Sequence, residues 1–121
     1  MFRFVQMTDS HLYMSSGEMT ERDPRKRFDV CDRMFRDFAA ECAGHDIDFI
    51  VHTGDFCGGG CSADAHRRFK SLCEDIAEEH GIGFYFARGN HDATPRMPDE
   101  DYEEVYGSGT YWFEHGGWAI M

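Results

Sequence analysis

The stretch Phe84-Tyr85-Phe86-Ala87-Arg88-Gly89-Asn90-His91-Asp92 runs from an apolar segment directly into a glycine, an amide, an imidazole and a carboxylate. Residues 82–87 form a short apolar run behind Gly81, which predicts a buried strand. In open α/β sheets, ligands bind at the loops that follow the carboxyl ends of strands. We therefore expect a functional site at Gly89-Asn90-His91-Asp92.

Two earlier loops along the chain have the same design. Residues 2–7 predict a first strand, which leads into Thr8-Asp9-Ser10-His11. Residues 47–52 predict a second strand, which leads into Thr53-Gly54-Asp55-Phe56. Three predicted strands thus carry polar side chains at their carboxyl ends, and we expect these loops to meet at one edge of a sheet.

Two amphipathic helices are predicted between the strands. The first begins at Asp23-Pro24, an N-cap acceptor followed by proline at the first helical position, and ends at Gly44. The second begins after Ser62 and ends at Gly81. Apolar residues recur at helical spacing in both, namely Phe28, Cys31, Phe35, Phe38 and Cys42, then Ala65, Phe69, Leu72, Cys73 and Ile76. The alternation predicts parallel strands with crossover helices and leaves the strand order open.

The last quarter of the chain has a different character. The prolines and the acidic run at residues 99–101 predict a solvated loop, and Glu103 and Glu104 are expected to continue that exposed surface. Residues 110–114 and 118–121 then predict a hairpin with a glycine turn.

The bulk composition narrows the classes of function. With 121 residues and a formal net charge of -11, the chain is one small domain or part of a larger one, and its acidity disfavours nucleic acids and anionic membranes as partners. No apolar run is long enough to span a bilayer, so we expect a soluble cytoplasmic protein. The five cysteines predict buried reduced thiols, and the spacing of Cys57 and Cys61 matches neither the usual redox nor the usual zinc pattern.

The three polar loops supply ligands of the kind that divalent metals bind. Manganese, iron and zinc accept mixed carboxylate and imidazole ligands, and an amide oxygen can complete the set. Asp9, His11, Asp55 and Asn90 fit this requirement, and Asp55 is placed to bridge two ions about 3.5–4 Å apart. Each motif alone is also an ordinary turn sequence, so an unrelated α/β domain stays open at this point.

In order along the chain, Asp9-Ser10-His11, Gly54-Asp55 and Gly89-Asn90-His91-Asp92 resemble the early motifs of the calcineurin-like metallophosphoesterases. The context at residues 6–12 is similar to the branch that contains the class III cyclic-nucleotide phosphodiesterases. The resemblance implies an α/β fold, the N-terminal half of a metallophosphoesterase-like α/β/β/α sandwich with mostly parallel strands, crossover helices and a final β-hairpin. Residues 1–121 would then be a partial domain of that family.

The same resemblance implies two divalent metal ions, manganese, iron or zinc, as cofactors. Asp9 and His11 would bind the first ion, Asp55 would bridge both, and Asn90 would bind the second. A hydroxide held between the ions would attack phosphorus in line.

Two further residues are implied to be catalytic. His91 would contact the phosphate and protonate or stabilise the leaving oxygen, and Asp92 would orient the imidazole and favour its charged form. The implied function is a metal-dependent phosphoesterase that hydrolyses small phosphodiester or cyclic-nucleotide-like substrates. A phosphomonoesterase stays open, because the same metal core serves both reactions.

The chain departs from the family in its C-terminal motifs. The family pattern continues with a further metal-binding histidine and a Gly-His-x-His motif, and neither is found here. His45, His52, His66 and His80 are interpreted as surface or satisfied histidines. A catalytically incompetent truncated or interaction form therefore also stays open. Half of a sandwich would expose an apolar sheet face, which predicts self-association.

Overall fold

The computed structural model describes residues 1–12, 28–58 and 60–121. In chain order the elements are β1 (Phe4–Met7), α1 (Phe28–Gly44), β2 (Phe49–His52), α2 (Ala63–His80), β3 (Gly83–Phe86), α3 (Asp99–Tyr106), β4 (Phe113–His115) and β5 (Trp118–Ile120). The first five elements follow the predicted order. The helix start predicted at Asp23-Pro24 lies outside the described residues, and so do the side chains of residues 28–31.

The three N-terminal strands form one parallel sheet in the order β1-β2-β3. Met7, His52 and Phe86 lie side by side at the last position of the three strands. All three strands therefore end at the same edge, which confirms the predicted parallel pairing. The sequential strand order, which the sequence left open, puts the loop that carries Asp55 between the other two.

Both faces of the sheet are covered by aromatic side chains, because successive residues of a strand point to opposite sides. On one face, Phe86 packs against Phe69 of α2 with their ring centres 6.2 Å apart. On the other face, Phe49 stacks on Phe4 at 5.3 Å and meets Phe113 of β4 edge-on at 5.4 Å. The sheet thus lies between the helices on one side and the C-terminal hairpin on the other.

Where their side chains are described, the residues of the two predicted stripes are buried except at Phe38. In α2 every predicted core residue is buried, namely Ala65, Phe69, Leu72, Cys73 and Ile76. In α1, Phe35 and Cys42 are buried, whereas Phe38 is 36% exposed and Ala39 is buried instead. Three residues turn a helix through about 300°, so Phe38 lies at the border of the stripe that Phe35 defines. Within the described residues, none of the helices combines the length with the apolar character that a membrane span requires.

Residues 99–106 form α3, where the acidic composition had predicted a solvated loop. Tyr102 is buried, and Tyr106 packs against Phe56 and Phe86 with ring-centre distances of 4.9 and 5.2 Å. The three acidic residues of the first turn favour a helix, because carboxylates stabilise the positive end of the helix dipole. Eight residues with few apolar positions are too short to reveal helical periodicity.

The predicted C-terminal hairpin is present as β4 and β5. Gly116 and Gly117 turn the chain with φ angles of 57° and 82°, a left-handed conformation that favours glycine. Phe113 stacks on Tyr85 of the sheet, and His115 Nε2 lies 3.3 Å from Asp48 Oδ1. These contacts fix the hairpin against the sheet face that the helices leave open.

Candidate metal centre

The loop after β1 runs alongside the loop after β2. The Asp9 amide donates to the Gly54 carbonyl at 3.1 Å, and the His11 amide donates to the Asp55 carbonyl at 3.1 Å. The Thr8 hydroxyl donates to Asp9 Oδ2 at 2.7 Å, and this hydrogen bond lowers the pKa of the Asp9 carboxyl. Parallel pairing of β1 and β2 therefore continues beyond the strands and brings the first two motifs side by side.

Three of the predicted ligands converge in this region. One ligand atom each from Asp9, His11 and Asp55 lies within 4.8 Å of the others. Residues 1–12, 28–58 and 60–121 contain no other such group of three or more histidine, cysteine, aspartate or glutamate side chains. His11 Nε2 lies 3.4 Å from Asp9 Oδ1, while His11 Nδ1 is buried and has no hydrogen-bond partner. Two carboxylates and an imidazole with an unsatisfied nitrogen fit a divalent cation.

The same three residues hold strained backbone conformations. Asp9, His11 and Asp55 have φ angles of 56°, 43° and 57°. Asp46 is the other non-glycine residue with positive φ in the described part of the chain. A left-handed conformation costs a non-glycine residue about 1–2 kcal/mol, and such strain clusters at functional sites.

Two glycines let the second and third loops touch. A Cβ atom built on Gly54 would lie 2.3 Å from the backbone nitrogen of Gly89, and Gly54 has a φ of 110°. No side chain fits at that distance. The glycine beside Asp55 therefore allows the backbone approach that brings the Gly89-Asn90-His91-Asp92 loop to the centre.

His91 lies next to the three converging ligands. Its amide donates to Asp55 Oδ1 at 2.9 Å, and its exposed ring meets the His11 ring edge-on with ring centres 5.2 Å apart. Asn90 is exposed between Gly89 and His91, both of which touch Asp55. Metal binding by Asn90 and proton donation by His91 stay predictions.

Asp92 has different partners from those expected. Instead of orienting the His91 ring, its carboxylate accepts hydrogen bonds from the backbone amides of Asp55, Phe56 and Gly89 at 2.6, 3.0 and 3.0 Å. Burial raises the pKa of Asp92, and the three amide hydrogen bonds oppose that rise. Asp92 is completely buried because it lies between the second and third loops, and it joins them.

His52 contacts both loops that carry the candidate ligands, which the sequence did not reveal. It is buried, and both ring nitrogens have partners, so its interpretation as a satisfied histidine is confirmed. Burial lowers the pKa of His52 to about 4. The signal in the sequence that could have identified His52 is an imidazole at an inward-facing strand position directly before Thr53-Gly54-Asp55.

Among the described side chains, the other histidines and the cysteines do not belong to the group of Asp9, His11 and Asp55. His45 and His80 lie beside glutamates at the surface, and His66 is buried with Nδ1 3.1 Å from the Tyr106 hydroxyl. The prediction of buried reduced thiols is confirmed for the four described cysteines, Cys42, Cys57, Cys61 and Cys73. Its hydrogen bond with Cys61 and its burial both raise the pKa of the Cys57 thiol, because both favour the protonated form.

Comparisons with known proteins identify what this chain is similar to. The family model for calcineurin-like phosphoesterase matches residues 2–120. No curated protein matches the chain. Among solved structures, the crystal structure of a dimetal phosphatase from Danio rerio is similar, with a TM-score of 0.54 and 18% sequence identity. This match covers 75% of the present chain and 30% of the Danio rerio chain, and identity this low shows a shared fold alone.

Proposed function

We propose that this chain, which belongs to the calcineurin-like phosphoesterase family, carries a metal-dependent phosphoesterase site at the carboxyl edge of its parallel sheet. The observation that carries the proposal is the convergence of Asp9, His11 and Asp55 within 4.8 Å. The mixed donor set supports it, because His11 Nε2 lies 3.4 Å from Asp9 Oδ1 and divalent metals accept carboxylate and imidazole ligands together.

In this proposal, four side chains hold two divalent metal ions. Asp9, His11 and Asp55 would hold the first ion, and Asp55 and Asn90 would hold the second. Manganese, iron and zinc all suit this donor set. When bound, such ions lower the pKa of a coordinated water to about 7 and supply positive charge to phosphate oxygens.

His91 is the proposed proton donor to the leaving oxygen. Its ring is exposed, so it is free to contact a substrate phosphate. Its amide is held by Asp55 Oδ1, which ties the position of the ring to that of a metal ligand. Asp92 contributes by holding the Asp55 and Gly89 backbones in place rather than by contacting the ring of His91.

The proposed substrate is a small phosphodiester, such as a cyclic or other nucleotide-like compound. A formal net charge of -11 favours a small anion neutralised at the metal centre over a long polyanion or an anionic membrane.

Self-association through the hairpin side of the sheet is a separate proposal. It is supported by the exposure of Phe4, Trp112 and Trp118, whose exposed fractions are 52%, 64% and 67%. Sedimentation as a monomer at every protein concentration would argue against it.

The test of the proposed function measures metal binding and hydrolysis on the same preparation. We expect calorimetric titration of metal-free protein to show Mn²⁺ binding, and the loaded protein to hydrolyse bis-p-nitrophenyl phosphate faster than p-nitrophenyl phosphate. The Asp55→Asn variant should lose at least about a hundredfold in Mn²⁺ affinity, because replacing groups that merely support ligands already costs 10–100-fold.

Asp64→Asn is the matched control, because it makes the same chemical change at an exposed carboxylate on α2. This variant should bind Mn²⁺ like the unaltered protein. Absence of Mn²⁺ uptake by the folded, unaltered protein would refute the proposed site. Faster hydrolysis of the monoester would indicate a phosphomonoesterase instead of a phosphodiesterase. Binding of Mn²⁺ without hydrolysis of either compound would indicate a non-catalytic form.

A further inference from the structure

A chain of hydrogen bonds links the first two loops behind the candidate ligands. The Gly54 amide donates to His52 Nδ1 at 3.3 Å, and His52 Nε2 lies 2.8 Å from the Ser10 hydroxyl oxygen. That hydroxyl donates to the Phe56 carbonyl at 3.0 Å. Since Nδ1 accepts, the proton of the neutral ring is on Nε2, and it is donated to Ser10.

Ser10 stands between two of the strained ligands. Asp9 and His11 on either side of it both have positive φ angles. Such conformations persist only where the surroundings hold them in place. The hydrogen bonds of Ser10 to His52 and Phe56 turn its side chain inward, and the neighbouring residues are thereby set in the conformations that bring their side chains towards Asp55.

The His52 ring is itself held rigidly. It is completely buried and meets the Phe56 and Phe69 rings edge-on, with ring centres 4.8 and 5.7 Å apart. A ring fixed on β2 and packed against α2 is a stable reference for both loops. Rotation of the ring would break the bonds to Gly54 and Ser10 together.

We propose that His52 and Ser10 are positioning residues that set Asp9 and His11 against Asp55 for metal binding. This inference rests on the proposed function, because it assigns the two residues a role in the affinity of the same metal centre. Neither residue is a metal ligand in this proposal. They act through the loop conformations, so their loss should weaken metal binding in a protein that still folds.

Replacing His52 by each of the two amide residues, glutamine and asparagine, tests its two hydrogen bonds separately. The longer side chain of His52→Gln places an N–H near the Nε2 position and can still donate to Ser10. The shorter side chain of His52→Asn can accept from Gly54 but does not reach Ser10. We expect Ser10→Ala and His52→Asn to weaken Mn²⁺ binding at least about tenfold, and His52→Gln to do so less than about threefold.

His66→Asn is the control for burying a new amide in place of a histidine. His66 is as completely buried as His52, but its described hydrogen bond goes to Tyr106 of α3 rather than to either loop. Stability should fall in this variant while Mn²⁺ affinity is kept. Calorimetric titration gives the affinities, and circular dichroism with urea denaturation shows whether each variant is folded.

Folded Ser10→Ala protein that binds Mn²⁺ as tightly as the unaltered protein would overturn the inference and leave the proposed function intact. If His52→Asn does not fold, the Ser10→Ala result decides. If the unaltered protein takes up no Mn²⁺, the proposed function fails and the positioning role fails with it. Nitrogen NMR of the metal-free protein is an independent readout, since a His52 ring protonated on Nδ1 rather than Nε2 would also overturn the inference.

Discussion

Gly89 approaches Asp55 more closely than any residue with a side chain could. A Cβ atom on Gly89 would lie 2.2 Å from Asp55 Oδ1 and 2.4 Å from the Asp55 nitrogen. Because the Asp55 nitrogen is a backbone atom, rotation of the Asp55 side chain cannot relieve this clash. The glycine is therefore required by the packing of two loops, and its own φ angle is not in the left-handed region.

We predict that Gly89→Ala lowers the free energy of unfolding by about 2 kcal/mol or more, the usual cost of forcing extra atoms into a packed region. It should also abolish measurable Mn²⁺ binding, because Asp55 must move. Urea denaturation and calorimetric titration measure the two effects. Gly109→Ala is the control, since nothing lies within 4 Å of its Cβ position, and a Gly89→Ala variant as stable as this control would contradict the packing.

At the scale of single residues, motif spacing predicted which side chains meet but not all of their partners. Asp9, His11 and Asp55 converge as expected, because each follows a strand of one parallel sheet. The role of Asp92 could not be predicted in the same way. Its partners are backbone amides of two different loops, and any residue except proline offers such an amide.

Among the elements, α3 supports the third loop through Arg88. The guanidinium donates to the Asp92 and Met97 carbonyls at 3.3 and 2.9 Å and forms an ion pair with Asp99 at the start of the helix. It also lies over the Tyr102 ring at 4.8 Å from the ring centre. One side chain just beyond β3 thus fastens the site loop and the first turn of α3 to each other.

We predict that Arg88→Met detaches the first turn of α3 and costs about 1.5–3 kcal/mol of stability, the range for hydrogen bonds made by a charged group. Amide hydrogen exchange of residues 97–103 should speed up in this variant, and urea denaturation gives the stability. Arg96→Met is the control, because Arg96 is exposed and donates to the Gly60 carbonyl instead. Equal exchange rates in both variants would contradict this role of Arg88.

At the scale of the whole molecule, the buried histidines make stability depend on pH. Burial and the nearby Arg88 charge lower the pKa of His66 to about 4, from an ordinary value of 6.5. Between these two pH values the unfolded chain binds a proton at His66 that the folded protein excludes. The contribution of His66 therefore makes the folded protein less stable as the pH falls through this window, and more stable as it rises.

We predict that His66 accounts for a loss of about 2 kcal/mol in unfolding free energy between pH 7 and pH 5. The His66→Asn variant keeps a group able to form a hydrogen bond with the Tyr106 hydroxyl, but this group cannot be protonated in this pH range. Between pH 7 and pH 5, the unfolding free energy of the variant should therefore fall by about 2 kcal/mol less than that of the unaltered protein. Urea denaturation in EDTA measures the difference without metal binding. Identical pH dependence in the two proteins would show that His66 titrates in the folded state as it does in the unfolded chain.

The sequence by itself determined the succession of the first five strands and helices along the chain, the parallel pairing, the three polar loops and the C-terminal hairpin. These follow from local patterns, namely apolar periodicity, capping residues and glycines, which a single chain displays without any partner. It also determined that Asp9, His11 and Asp55 would share one edge, since parallel strands that carry them end there.

Only the tertiary structure decided which groups hold that edge together. The strand order, the buried bridge of Asp92 and the link from His52 to Ser10 depend on contacts between residues about 40 positions apart, as the Asp55 to Asp92 and His52 to Ser10 bonds show. The docking of α3 also depends on contacts between elements, such as those of Tyr106 with Phe56 and Phe86. A buried polar group must find a partner wherever the fold supplies one. That partner is set by three-dimensional packing and leaves no periodic signal in the chain.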